Sequence, residues 1–106
     1  MRLGICTDLE NIQGVAAAGF DYIEPKAYAI AALSDEEFDA LLTASKTFPI
    51  PVEAVNFFYP TDMKVVGNAA DEEEVFSYIR KVVPRLLKLG VKMITVGGSG
   101  SRKIPE

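Results

Sequence analysis

Histidine is absent from the sequence. It is the commonest neutral metal ligand in proteins and the usual general base near pH 7, so its absence narrows the chemistry that the chain can perform. Carboxylates, one thiol, lysines and tyrosines remain as reactive groups. Histidine-dependent triads and histidine-containing metal sites are therefore excluded within this chain.

Cysteine is almost absent as well, and no long apolar run is present. Cys6 is the single cysteine, so an intramolecular disulfide is excluded. The N-terminal segment is too short and too polar for a signal peptide, and no run approaches the roughly 18 apolar residues of a membrane-spanning helix. These features predict a cytoplasmic protein that makes no membrane contact.

Positive charge is also scarce, since 11 basic residues stand against 15 acidic ones and the formal charge is −4. No net positive field attracts phosphates, so nucleic acid is not an expected partner. The 106 residues are 49% hydrophobic and 25% charged, a globular balance. This length predicts one domain over residues 1–106 and is too short for a complete barrel enzyme of roughly 250 residues.

Short apolar segments alternate with helical patterns along the chain. The residues predict four strands, over 2–6, 20–24, 52–57 and 91–96. The first is interpreted as a buried strand, with Cys6 as a small hydrophobic residue and a reactive thiol as the less favoured alternative. Strands that alternate with helices pair in parallel through right-handed crossovers, so the fold class is α/β.

Three helices are predicted, over residues 8–18, 35–46 and 71–89. Gly19 and Gly90 stand where left-handed terminating residues belong, and Ser34 with Glu37 has the spacing of a capping box. Pro84 conflicts with the third helix and predicts a kink or a break there. Residues 26–33 fit either a helical turn or a loop, and residues 58–70 are predicted to form a surface loop.

Polar or small residues follow every predicted strand, and the carboxyl ends of parallel strands are where active sites collect. Glu24 suits a sugar hydroxyl or a lysine, or is a solvated acid paired with Lys26. Asn56 suits a polyol, or closes a local turn with its own side chain. Tyr59 and Phe57 either wall a pocket or belong to the core.

The segment over residues 97–103 is rich in glycine and contains Arg102. Its backbone amides at Gly98 and Ser99 could form an anion nest with the Arg102 guanidinium as a phosphate clamp. The alternative is a flexible loop after a strand, and the spacing matches neither of the common nucleotide-binding glycine motifs.

Several segments together resemble the N-terminal part of a sugar phosphate isomerase/epimerase of the xylose-isomerase-like TIM barrel superfamily. They are RLGICTD, GFDYIEP, VEAVNFFYP, YIRKVVPRLLKLGVKMITVGG and GSGSRKIPE, in the family's order and over essentially the whole chain. The resemblance implies parallel β/α units that form about half of a TIM barrel, with four strands and three helices.

The resemblance also implies how the work of the enzyme is divided. A divalent metal, Mn²⁺ or Mg²⁺, and the two glutamates that move a proton belong to later strands of the family, so no catalytic or metal-binding residue is assigned here. The resemblance assigns binding of a sugar or sugar phosphate to the first half. The protein partner expected for this chain is a second copy in a homodimer or a missing C-terminal half. A non-catalytic sugar-phosphate-binding module is the alternative. The residues expected to bind substrate are Glu24, Asn56, Tyr59, Gly98, Ser99 and Arg102.

Overall fold

The computed structural model describes residues 2–60, 63–64 and 71–96. Within these residues the α/β fold class is confirmed, because short strands alternate with helices along the chain. A 3₁₀ turn at Leu9–Asn11 precedes the first α-helix. The elements are β1 Gly4–Cys6, α1 Ile12–Ala17, β2 Tyr22–Glu24, α2 Ala27–Ala31, α3 Asp35–Ser45, β3 Ala54–Val55, α4 Glu72–Leu89 and β4 Met93–Ile94.

The four predicted strands are present and all of their pairings are parallel, but they form two small sheets. β1 pairs with β2, and β3 pairs with β4. Between the two sheets only isolated parallel bridges join Ile23 to Val52 and Lys26 to Asn56. Pro25 has no amide hydrogen to donate at the point where a continuous ladder would pass, which limits pairing between β2 and β3.

β1 and β2 begin later than predicted. A side-chain carboxylate takes the place of the backbone carbonyl that would accept the first hydrogen bond of the ladder. The Leu3 amide donates to the Asp21 carboxylate at 2.8 Å, and the Asp21 amide donates to the Leu3 carbonyl at 2.7 Å. The prediction that the first strand is buried is wrong, since Gly4 and Cys6 are exposed and Ile5 is only partly buried.

The core lies between the strands and the helices α2 and α4. Helix α2 occupies the segment that the sequence left open between a helical turn and a loop, and it packs against α4. Apolar burial drives this packing, at about 25 cal/mol per Å² of surface removed from water. The largest side chains with almost no exposure are Ile23, Ile30, Leu86, Val55 and Val82.

The helix ends follow the local signals of the sequence. Gly19 and Gly90 adopt the left-handed conformation with φ of 93° and 88°. The capping box is confirmed, because the Glu37 amide donates to Ser34 Oγ at 3.1 Å and the Ser34 amide donates to Glu37 Oε1 at 2.9 Å. The helix predicted over residues 8–18 is instead a 3₁₀ turn followed by α1, and Asp8 makes no side-chain cap bond.

Helix α4 is continuous through Pro84, so of the two predicted alternatives the break is wrong, while the kink stays a prediction. Proline removes the hydrogen bond to the carbonyl of the residue four positions earlier, here Arg80. Both residues are exposed, and water can therefore replace the missing donor. No helix in the described ranges is long and apolar enough to cross a lipid bilayer.

Arg85 joins α4 to the turn between α2 and α3. Its side chain is buried, and Nη1 donates to the carbonyl oxygens of Ile30 at 2.9 Å and Leu33 at 2.8 Å. Nη2 donates to Asp35 Oδ1 at 3.0 Å, and the guanidinium carbon lies 4.9 Å from the centre of the Phe38 ring. One side chain thus satisfies carbonyls at the C-terminal end of α2, where helices leave backbone acceptors without partners.

Candidate functional site

Three side chains meet at the carboxyl ends of β1, β2 and β3. Cys6 and Glu24 are direct partners in the β1–β2 register, so their side chains share one face of the sheet. Cys6 Sγ donates to Glu24 Oε2 at 2.9 Å, and Asn56 Nδ2 donates to the same oxygen at 3.1 Å. Two sequence-predicted site residues, Glu24 and Asn56, are therefore in direct contact.

The two carboxylate oxygens of Glu24 have different surroundings. Oε2 accepts both of these hydrogen bonds, while Oε1 has no hydrogen-bond partner among residues 2–60, 63–64 and 71–96. The ion pair with Lys26 that the sequence allowed does not form in that part of the chain. Glu24 is only partly buried. Its second oxygen is therefore a charged acceptor that is available to a hydroxyl or amino group of a ligand.

Backbone hydrogen bonds fix the position of Asn56. Its amide donates to the Pro25 carbonyl at 3.1 Å, and its carbonyl accepts from the Ala27 amide at 2.8 Å. The side chain reaches Glu24 rather than closing a local turn. Asn56 Oδ1 is buried, and no partner for it lies in the described ranges. An unpaired buried acceptor costs about 1–3 kcal/mol, which the contact with Glu24 partly offsets.

Cys6 has a different role from the one that the sequence predicted. The side chain is exposed and hydrogen-bonded, so the interpretation as a buried hydrophobic residue is wrong. The hydrogen bond to Glu24 raises the pKa of the Cys6 thiol above its ordinary value, and partial burial and the charge of Glu24 raise it further. At neutral pH the thiol therefore keeps its proton and donates a hydrogen bond to the carboxylate.

These side chains line a cavity of about 370 Å³, within the usual range for small-molecule sites. Its position is the one expected of a site in a parallel α/β fold, at the carboxyl ends of the strands. Thr7 and Asp8 come from the segment after β1, and Lys26 and Phe57 follow β2 and β3. The lining residues are Cys6, Thr7, Asp8, Glu24, Lys26, Asn56 and Phe57.

Phe57 is placed on the wall of this cavity by an unusual backbone conformation. Its φ is 44°, in the left-handed region that non-glycine residues seldom adopt. The ring meets Tyr28 edge to face with centres 6.3 Å apart, and 37% of the residue remains exposed. Such strain costs about 1–3 kcal/mol and is common at binding sites. Of the two interpretations that the sequence allowed, Phe57 follows the one as a pocket wall.

Tyr59 lies apart from this group. Its ring packs with those of Phe58 and Tyr78, with centre distances of 4.8 Å and 5.8 Å. The Tyr78 hydroxyl donates to the Phe58 carbonyl at 2.5 Å, and burial raises the pKa of Tyr78. The structure therefore brings Tyr59 into a packing cluster and not beside Glu24 and Asn56.

Three further predicted site residues, Gly98, Ser99 and Arg102, lie outside the described residues, as does most of the loop predicted over 58–70. The phosphate-binding role of the glycine-rich segment stays a prediction.

The described residues do not supply a metal site. No group of three or more cysteine, aspartate or glutamate side chains in residues 2–60, 63–64 and 71–96 is arranged to hold a metal ion. Cys6 and Glu24 satisfy each other through a hydrogen bond. The metal implied by the family resemblance stays a prediction.

Comparisons with models of protein families, with curated proteins and with solved structures found no match for this chain. The side chains of the cavity offer a carboxylate acceptor from Glu24, an ammonium donor from Lys26 and an aromatic surface from Phe57. This combination suits a small ligand with several hydroxyl groups, because hydroxyls both donate and accept hydrogen bonds.

Proposed function

We propose that this chain is the N-terminal half of a metal-dependent sugar or sugar-phosphate isomerase or epimerase, and that it supplies part of the substrate-binding site. One observation carries the proposal. Glu24 lines a cavity at the strand ends with one oxygen held by Cys6 and Asn56 and the other without a partner among the described residues. A preoriented carboxylate of this kind binds a sugar hydroxyl with little loss of side-chain entropy.

The arrangement of the strands supports the half-barrel part of the proposal. The two parallel sheets are linked by bridges from β2 to β3, so the strands follow one another in the order of the chain. Consecutive parallel strands with intervening helices are the building units of a (β/α)₈ barrel. We propose that these four strands form the first half of such a barrel in a cytoplasmic enzyme.

Each side chain of the cavity has a role in this proposal. Glu24 Oε1 accepts a hydrogen bond from a sugar hydroxyl, and Asn56 keeps the carboxylate in place. Lys26 donates to a carbonyl or phosphate oxygen, and the Phe57 ring packs on the apolar face of the sugar. The predicted role of the segment with Gly98, Ser99 and Arg102 belongs to the same proposal, with the Arg102 guanidinium as the phosphate clamp.

The metal and the proton-transferring groups come from outside the described residues in this proposal. Binding and orientation are the only steps assigned to this chain. A covering half is also suggested by the apolar side chains exposed in and just after β4 and just before β1, and a second copy in a homodimer or a C-terminal half would bury them. These exposed side chains are Leu3, Met93, Ile94 and Val96.

A non-catalytic sugar-phosphate-binding module is the second candidate. The observation that favours it is that the groups lining the cavity, from Glu24, Lys26 and Asn56, are sufficient to bind a ligand without any catalytic step. The two candidates differ in assembly. A half-barrel that is covered by a second copy sediments as a dimer at micromolar concentration, whereas a binding module that needs no cover sediments as a monomer.

Calorimetric titration with ketoses and ketose phosphates tests the shared prediction of sugar binding. We expect wild-type binding to weaken about tenfold to a hundredfold in Glu24→Gln, because a hydrogen bond to a charged acceptor contributes about 1.5–3 kcal/mol. Glu36→Gln, an exposed acid on α3, is the matched control and is expected to bind normally. Equal binding by all three proteins, or no binding, contradicts the proposal. Turnover of a ketose by this chain alone with Mn²⁺ contradicts the half-enzyme assignment.

A further inference from the structure

A second and larger cavity lies beside the one that contains Glu24. Its volume is about 570 Å³, and it runs between the 3₁₀ turn Leu9–Asn11, helix α2 and helix α3. Most of its wall is apolar, and we call it the apolar groove. Its apolar lining residues are Leu9, Pro25, Ala29, Ile30, Leu33, Ala40 and Leu41.

The two cavities meet at charged side chains. Asp8 and Lys26 line both of them, and Pro25 in the apolar groove directly follows Glu24 in the polar cavity. A ligand bound to Glu24 therefore lies next to the groove, because Pro25, the following residue, is part of the groove wall. The two opposite charges at the junction offer an acceptor and a donor to a neutral polar linkage, such as a glycosidic or ester oxygen.

We propose that the two cavities form one binding site for an amphipathic small molecule. Its hydroxylated head occupies the polar cavity, and a hydrocarbon chain or aromatic ring attached to that head occupies the apolar groove. The head-group part rests on the proposed function, and the apolar part goes beyond it.

The chemistry of the walls selects this occupant. Ile30 is almost fully buried, and Leu33 and Leu41 are partly buried, so the floor of the groove is apolar. Glu10 and Glu37 also line the groove, but both residues are exposed, and Glu37 already accepts a hydrogen bond from the Ser34 amide. A sugar ring on the apolar floor would lose its water there without compensation. A hydrocarbon group loses nothing, and it gains about 0.8 kcal/mol for each buried methylene, which is roughly a fourfold gain in affinity.

A homologous series of alkyl β-D-glucosides tests the proposal by calorimetry. Methyl, butyl and hexyl glucosides are titrated into the full chain below the concentrations at which they form micelles. Affinity is expected to rise roughly fourfold for each added methylene in the wild-type protein. Glu24→Gln is expected to weaken binding of all three compounds by a similar factor, because they share the same head group.

Filling the groove is expected to remove the dependence of glucoside affinity on the length of the alkyl group. Ala40→Phe on α3 and Ala29→Phe on α2 place a ring in the groove from opposite sides, and both positions are exposed. Ala44→Phe lies one turn further along α3, is exposed and does not line the groove, so it is the matched control. Circular dichroism and the unfolding midpoint establish that all three variants fold.

Three results would overturn the proposal. The first is equal affinity for the methyl and hexyl compounds in the wild-type protein, or no binding of either. The second is an affinity that still rises with the length of the alkyl group in both groove-filling variants. The third is a change of sedimentation in Ala40→Phe and Ala29→Phe without a change in glucoside binding, which would assign the groove to a second copy of the chain. None of these decides the proposed function, because the ketose titration of Glu24→Gln tests that separately.

Discussion

The side-chain amide of Asn56 donates a hydrogen bond to the carboxylate of Glu24 at 3.1 Å, although 32 residues separate the two in sequence. This contact joins the end of β2 to the end of β3, where only isolated backbone bridges connect the two small sheets. The Cys6 thiol, at the end of β1, donates a hydrogen bond to the same carboxylate oxygen. The cavity is therefore organised around Glu24.

The reactivity of the Cys6 thiol reports on its hydrogen bond to Glu24. The hydrogen bond to Glu24 raises the thiol pKa above its ordinary value of 9.0, so the thiolate fraction at pH 8 is smaller than in a free cysteine. We expect Glu24→Ala to lower this pKa and to speed alkylation by iodoacetamide at pH 8. The control is Glu36→Ala, which leaves the thiol untouched. An unchanged or slower rate in Glu24→Ala would rule out this role of the carboxylate.

Arg85 and its surface partner are expected to contribute very unequally to stability. Arg85→Met leaves the carbonyls of Ile30 and Leu33 without their donor, at about 1–3 kcal/mol for each one that stays dry, so we expect a total loss of about 2–4 kcal/mol. The Asp35 side chain is 93% exposed, so Asp35→Asn is expected to cost about 1 kcal/mol or less. Urea unfolding of both variants measures the difference, and equal losses would contradict this account.

The capping box of α3 is expected to make stability depend on pH in the acid range. The bonds from Ser34 lower the pKa of Glu37 below its ordinary value of 4.5, so folding favours the ionised carboxylate. Its contribution is complete above the unfolded pKa and is lost as the pH falls through the folded pKa.

Ser34→Ala is expected to cost about 1 kcal/mol at pH 7 and to remove part of this pH dependence. Urea unfolding at pH 7 and pH 3 checks both effects. A wild-type loss on acidification that Ser34→Ala retains in full would count against the cap as its source.

Two glycines in exposed positions are expected to respond in opposite ways to alanine. A methyl group on Gly4 would overlap the ring of Tyr22. The guanidinium of Arg2 lies over the same ring, 5.7 Å from its centre. Gly4→Ala is therefore expected to cost about 1–2 kcal/mol. Gly14 lies in α1, and no described atom beyond its own stretch of helix lies within 4 Å of the added methyl, so Gly14→Ala is expected to stabilise by about 0.5–1 kcal/mol. A raised unfolding midpoint in Gly4→Ala would refute the packing at Gly4, and a lowered one in Gly14→Ala would refute the prediction for α1.

Features that depend on near neighbours in sequence could be predicted. The left-handed turns at Gly19 and Gly90 and the capping box of Ser34 with Glu37 follow from the residue types and their spacing alone. Glu24 and Asn56 could also be identified as candidates, because polar residues that end apolar strands stand out in the pattern.

Features that depend on distant partners could not be predicted in the same way. Arg85 has the pattern of an exposed basic residue near the end of a helix, and its partners lie 50 to 55 residues earlier. Cys6 ends an apolar segment and resembles a core residue until the register of β1 and β2 places it opposite Glu24. Pro84 predicted a kink or a break, and its exposure, which lets water replace the missing donor, is consistent with a helix that continues.

The measurement that tests the central claim most directly is the NMR signal of the Asn56 side-chain amide during titration with a ketose. Asn56 touches Glu24, while the side-chain amide of Gln13 lies on the exposed face of α1 and serves as an internal control. We expect the Asn56 signal to shift with a saturable dependence on ketose concentration and the Gln13 signal to stay in place. An Asn56 signal that does not move at saturating ketose would contradict the assignment of this cavity to sugar binding.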